Sequence, residues 1–158
     1  MPEIKKVDVN LIAEVCQGAE KSAKKRAFKI LHDSPEEGVQ RMLFALQPDT
    51  YVHPHKHEVG GQFEFLTVVQ GKLGVLAFDE KGAITETHTV GPKGELRAIE
   101  IPPNMWHTVV CLENNTTVIE IKPGPYNPGE VKVTAVWAPD EQAPDVVAYL
   151  SSLRGRFI

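Results

Sequence analysis

Between Tyr51 and Lys122 the chain breaks into short runs rich in Val, Ile, Thr and Phe, each closed by a turn signal: GG, QGK, DEKG, GPKG, IPPN and ENN. β-branched and aromatic side chains fit a pleated surface, while glycine, proline and asparagine supply the reversals, so these runs read as about six to eight antiparallel strands. Short strands in such number leave unpaired edges unless the sheet closes on itself. The expected fold is therefore mainly β, a closed barrel or jelly roll rather than an open sheet.

The flanks carry a different pattern. From Val7 to about Lys25, Val7, Leu11, Ile12, Val15 and Ala19 recur at helical spacing, with Asp8 placed to cap the start. The segment RAFKILH alternates. SPEEGVQRMLFAL then predicts a second helix, opened by Ser34 as N-cap, Pro35 at the first position and acidic residues in the first turn. KPGPYNPGE holds too many prolines and glycines for regular structure, and DEQAPDVVAYLSSLRG predicts a closing helix. The expected organisation is one globular domain: an N-terminal helical segment over residues 1–48, a barrel over 49–125, and a C-terminal extension and helix over 126–158.

Composition excludes several function classes. With 158 residues, 42% of them hydrophobic, the chain can bury one core. A net charge of -4 offers no basic footprint for nucleic acid, and the run KSAKKRAFK reads as a solvated helix end. No apolar stretch is long enough to span a bilayer and MPEIKKVDVN lacks a signal-peptide core, which predicts a cytoplasmic protein with no membrane partner. Cys16 and Cys111 lie far apart and without CxxC spacing, as suits reduced thiols.

The chemistry concentrates in HPHKHEVGGQFEF, residues 53–65. Residues two apart on a strand share a face, so His53 with His55, or His55 with His57, can offer two imidazoles to one ion. A two-residue turn at Gly60-Gly61 would set His57 opposite Glu64 and converge His55, His57 and Glu64, leaving His53 as a neighbour. The later strand EIPPNMWHTVVCLE adds His107. Three neutral imidazoles and one carboxylate leave one or two positions open on a divalent ion, and zinc, iron, manganese and nickel all accept the mixture.

These residues resemble a known pattern. PHKH, Glu64 and Gly71, followed by IPPNMWH, are similar to the two motifs of the cupin superfamily, over roughly residues 49–112. The flanks VQRMLFAL, TYVHPHKH, WHTVV, EIKPGPY and VWAPDE resemble the WbuC-type cupin-fold metalloproteins. The resemblance implies a cupin double-stranded β-helix with N-terminal helices and a C-terminal helix. It also implies one divalent metal ion held by His55, His57, Glu64 and His107, and a setting among bacterial surface-polysaccharide genes, hence sugars or sugar nucleotides. It allows a homodimer paired through strands and N-terminal segments. Two departures stand out. Six residues separate His57 from Glu64 where three or four are usual, and Asn104 and Cys111 replace the usual glycine and asparagine; Asn tolerates a left-handed turn. Cys111, at the parity of His107, should face inward, as a small buried side chain or a thiol beside the metal.

Beside the metal, a hairpin tipped by Asn114-Asn115 would set Lys122 opposite His107 and Glu120 opposite Val109. Glu120 is then a candidate general base and Lys122 an anchor for a substrate carboxylate or phosphate. A one-residue register change would turn both outward, because Ile119 and Ile121 have the opposite parity and look like core. His53, Gln62 and Tyr126 are the candidate substrate-binding residues, Tyr126 on a segment able to cover the mouth. Arg41 is expected on the exposed face of the second helix, Trp106 and Trp137 in packing, and His32 and His88 in structural or exposed positions. The function expected is a small-molecule enzyme acting on a polar or sugar-derived substrate, by isomerisation, epimerisation or dioxygenation. The alternative is a non-catalytic metal-dependent ligand-binding module.

Overall fold

The structure, a computed structural model, describes residues 1, 3–58, 61–130 and 132–157. It begins with helix α1 (Val9–Lys21), whose cap is Asp8: the Asp8 carboxylate accepts from the backbone N–H groups of Asn10 and Leu11, at 3.1 and 3.0 Å. Among the described residues ten strands follow: β1 (Arg26–Ile30), β2 (Val39–Leu46), β3 (His55–Lys56), β4 (Glu64–Gln70), β5 (Leu73–Phe78), β6 (Ile84–Val90), β7 (Ala98–Ile101), β8 (Trp106–Cys111), β9 (Thr116–Pro123) and β10 (Val133–Thr134). Helix α2 (Val146–Arg154) closes the chain. The strands form two antiparallel five-stranded sheets, ordered β1-β2-β9-β4-β7 and β10-β3-β8-β5-β6, packed as a jelly roll.

Both sheets are covered outside as well as inside. Helix α1 lays Val15, Cys16 and Ala19 on Leu43, Ala45, Val69 and Ile119 of the first sheet. Helix α2 and the chain before it pack Leu150, Leu153 and Trp137 on Leu76, Phe78, Trp106 and Val110 of the second. The inner faces meet around Leu46, Leu66, Val68, Leu73, Val75, Val109 and Val118. Each central strand is consequently apolar on two faces, and its period-2 signal fades.

That double burial explains a correction. SPEEGVQRMLFAL is not a second helix: Ser34 to Gly38 form turns, and residues 39–46 are strand β2, paired with β1 and β9. Met42, Phe44 and Leu46 face the barrel interior while Leu43 and Ala45 lie under α1, so the segment looks uniformly apolar. The acidic run mimics a helix start and ends in a turn. Arg41 accordingly sits on β2, paired with Glu37.

Two proposed hairpins also prove to be corners. β3 pairs with β8 and β10 while β4 pairs with β7 and β9, so His57 and Glu64 are not cross-strand neighbours. Of the Gly60-Gly61 turn, Gly60 lies outside the described residues; Gly61 has φ +63°. Likewise β8 and β9 belong to opposite sheets, so Lys122 does not pair with His107. Asn104 and Asn115 occupy the left-handed region, at φ +62° and +59°, as their short polar side chains permit.

Candidate metal centre

Four donors meet between the sheets. His55 on β3 lies directly beside His107 on β8, and Ala77 of β5 flanks His107 on its other side. His57 follows β3, its carbonyl accepting from the Asn104 N–H at 3.0 Å, so the IPPN turn fixes its backbone. Glu64 opens β4 in the facing sheet. The ligand atoms of all four lie within 4.8 Å of one another, and all four residues are buried.

The hydrogen bonds test whether a cation fits. His55 Nδ1 stands 2.9 Å from the His53 carbonyl and His107 Nδ1 stands 2.8 Å from the Met105 carbonyl. Carbonyls only accept, so both Nδ1 atoms carry hydrogen and the Nε2 lone pairs point inward. Yet His107 Nε2 is 2.9 Å from Glu64 Oε2, and His57 Nε2 is 2.9 Å from Oε1. For His107, whose Nδ1 carries the hydrogen, an Nε2 lone pair facing a carboxylate oxygen in a buried site requires a positive charge between them, a proton or a metal ion. One ligand atom from each of the four residues lies within 4.8 Å of the others, close enough for all four to share a single ion. The donor set therefore fits a divalent metal, with the two backbone carbonyls orienting its imidazoles.

Electrostatics agree. Burial, followed by His107, pushes the His55 imidazole down to about 3, so it stays neutral and able to ligate. Burial also pushes Glu64 up, but the bonds from His107 and His57 outweigh it and hold the carboxyl well below its usual range.

A cavity of about 230 Å³ opens over the four donors. Phe44, Val52, Leu66 and Val109 give it an apolar wall; Glu120 and Lys122 bring a carboxylate and an ammonium group. These two share inward parity with Val118, while Ile119 points to α1. Both faces of β9 are buried, which removes the parity conflict seen in sequence. Lys122 Nζ lies 3.0 Å from Glu120 Oε1. Burial and the Glu64 charge raise the Glu120 carboxyl; burial opposes the charge on Lys122, but Glu120 and Glu64 prevail and raise it.

The other candidates lie elsewhere. His53 turns away, its Nε2 2.9 Å from the Ala135 carbonyl and its ring beside Asp140 in an outer groove. Gln62 and Tyr126 do not line the cavity; Tyr126 is 48% exposed, its N–H bonded to the Pro35 carbonyl. Trp106 packs on the outer face of the second sheet, with Lys56 Nζ 4.6 Å from its ring centroid. Cys111 is buried, its thiol donating to the Glu113 carbonyl at 2.8 Å, and both cysteines are free. His32 accepts from the Arg41 N–H, and His88 lies beside Glu86 at the surface. Unforeseen are Arg26 and Lys132, which line the cavity mouth. The alternation in RAFKI and VKVT was the available signal. Lys132 is exposed overall, yet desolvation at the mouth, followed by the Arg26 charge, lowers its ammonium pKa.

Two facing sheets around a buried three-histidine, one-carboxylate set give a cupin-like jelly roll whose interior holds a candidate metal site. Similar solved structures share the fold: KdgF from Halomonas sp. (23% identity, TM-score 0.50, covering 67% of this chain and 84% of that one), a cupin 2 domain-containing protein from Halorhodospira halophila (18%, 0.51, 84% and 82%), and oxalate decarboxylase from Bacillus subtilis (18%, 0.50, 69% and 27%). No curated protein matches. The chain belongs to the family described as domain of unknown function DUF6016, whose model matches residues 7–90. No helix among the described residues is long and apolar enough to cross a membrane.

Proposed function

We propose that this chain is a metal-dependent enzyme acting on a small polar substrate, with His55, His57, Glu64 and His107 as ligands and Glu120 as the acid/base group. The observation that carries the reading is the pair of buried Glu120 and half-buried Lys122, facing the same small cavity as the four donors. A structural metal site needs no titratable pair beside it, whereas proton transfer does. A bound divalent ion supplies Lewis-acid polarisation of a substrate oxygen. Glu120, its carboxyl raised by burial and the Glu64 charge, takes a proton from the adjacent carbon and returns it, while Lys122 holds an oxygen anion of the substrate. The apolar wall excludes water from that exchange.

Proton movement of this kind favours isomerisation or epimerisation over dioxygenation. The flanking motifs similar to WbuC-type proteins support a sugar-derived substrate in surface-polysaccharide metabolism, in the cytoplasm; assembly as a homodimer belongs to the same reading. His53, beyond the cavity, and Tyr126, near Lys122, are proposed to contact the outer part of the substrate, with Gln62 beside them. The test is a metabolite screen on metal-loaded wild type and Glu120→Gln, with and without oxygen. The reading expects oxygen-independent conversion that Glu120→Gln abolishes while retaining metal. Ligand binding without conversion by either protein would favour the non-catalytic module.

A further inference from the structure

Arg26, at the start of β1, and Lys132, just before β10, line both the metal cavity and an outer groove of about 740 Å³ that also includes Lys24, His53, Asp140 and Glu141, with Glu141 paired to Lys24 and Arg26 and Asp140 beside His53. They form a sill between the two spaces, each contributed by the edge strand region of a different sheet. The charges around the cavity are unevenly matched. Lys122 is paired with Glu120, and Glu64 is engaged by His57 and His107. Arg26 binds the Tyr51 carbonyl and Glu141 Oε1, each at 2.6 Å. Lys132 has no ion pair or hydrogen bond among the described residues. A divalent ion adds two further positive charges to walls whose carboxylates are already engaged, so an incoming anion is favoured.

We propose that the cavity binds a small organic anion, a carboxylate or phosphate monoester of monosaccharide size, with its anionic group on the sill between Lys132 and Arg26. The inference rests on the ligand-binding part of the proposed function, not on turnover. Size follows from volume: a cavity of about 230 Å³ suits a ring of monosaccharide size, and a larger substituent would extend past the sill into the outer groove. Placement follows from the walls: the apolar side chains deeper in the cavity suit a carbon skeleton, the cations at its rim suit the charge. The outer groove leaves space for a substituent beyond the anionic group.

The test is calorimetric titration of the Zn²⁺-reconstituted chain with gluconate, glucose 6-phosphate and glucose, with metal content measured in every variant. At least one anion should bind, glucose at least about tenfold more weakly, and the anion's affinity should fall as salt rises. Lys132→Met, at an exposed position, should keep its fold and metal and lose about tenfold in anion affinity. Glu141→Gln should bind the anion more tightly, because Arg26 is released from its partner. Lys93→Met, on a distant loop, should match wild type. Binding of gluconate alone identifies a carboxylate site, and of glucose 6-phosphate alone a phosphate site. Glucose binding as tightly as the anions, no heat from either anion at millimolar concentration, or an unaffected Lys132→Met would overturn the proposal. Anion binding without turnover leaves it standing and removes the enzymatic reading; turnover of neutral compounds without anion binding does the reverse.

Discussion

Replacing His107 with alanine separates a metal centre from a mere histidine cluster. The side chain is 2% exposed, its Nδ1 held by the Met105 carbonyl and its Nε2 2.9 Å from Glu64. Loss of a group that only orients a metal ligand costs about 10- to 100-fold in affinity, so loss of a ligand atom should exceed about 100-fold, or about 2.7 kcal/mol. The metal-free protein should weaken too. Glu64 would keep His57 and lose its second donor, and a buried acceptor left short of a partner costs roughly 1–3 kcal/mol. His53→Ala is the control: the His53 carbonyl, not its imidazole, orients His55, so metal content should be unchanged. Elemental analysis of anaerobically purified proteins, with chelator competition for affinity, reads both effects. Equal metal content in His107→Ala and wild type would refute the ligand assignment; equal losses in His53→Ala and His107→Ala would refute the exclusion of His53.

Glu120→Gln should retain metal while lowering conversion by about 10²- to 10⁴-fold once a substrate is found, and Lys122→Met should act mainly on KM; parallel loss of metal would show a structural role instead. Burial pushes Glu141 up, but Arg26 and Lys24 outweigh it and hold its carboxyl below the ordinary 4.5. The stabilisation is thus present above pH 4.5 and lost as pH falls through the lowered folded-state value, so wild type should lose stability faster than Glu141→Gln there. Partial exposure limits the effect to about 1 kcal/mol or less, and parallel acid unfolding curves would contradict it. Gly71→Ala should destabilise the protein by about 2 kcal/mol or more and so lower the denaturant midpoint, since φ is +76° and an added Cβ would meet Thr116 Oγ1 at 2.6 Å; an unchanged midpoint would show that the β4–β5 corner relaxes freely.

Local chemistry was legible wherever a residue type answers to its own surroundings. Asp8 as a cap, the turn-punctuated strands, Asn104 in a left-handed turn and the free cysteines all follow from short-range preference. The donor set His55, His57, Glu64 and His107 was legible as well, but the reason offered for its convergence was not the operative one. A hairpin was expected to bring His57 to Glu64; the chain instead crosses between sheets, and the two side chains meet across the barrel interior. Strand β2 was misread because α1 covers one of its faces and the cavity lies on the other, so the periodicity that distinguishes strand from helix disappears.

The amino-acid sequence by itself determined the β-rich architecture and the helix start, because these depend on propensity and turn chemistry, and its motifs singled out the four residues that the fold gathers into one buried cluster. Only the tertiary structure decided that Glu120 and Lys122 face the cavity, that His53, Gln62 and Tyr126 do not line it, and that Arg26 and Lys132 guard its mouth. Those placements depend on which sheet each strand joins and what covers its far side, and long-range closure sets both.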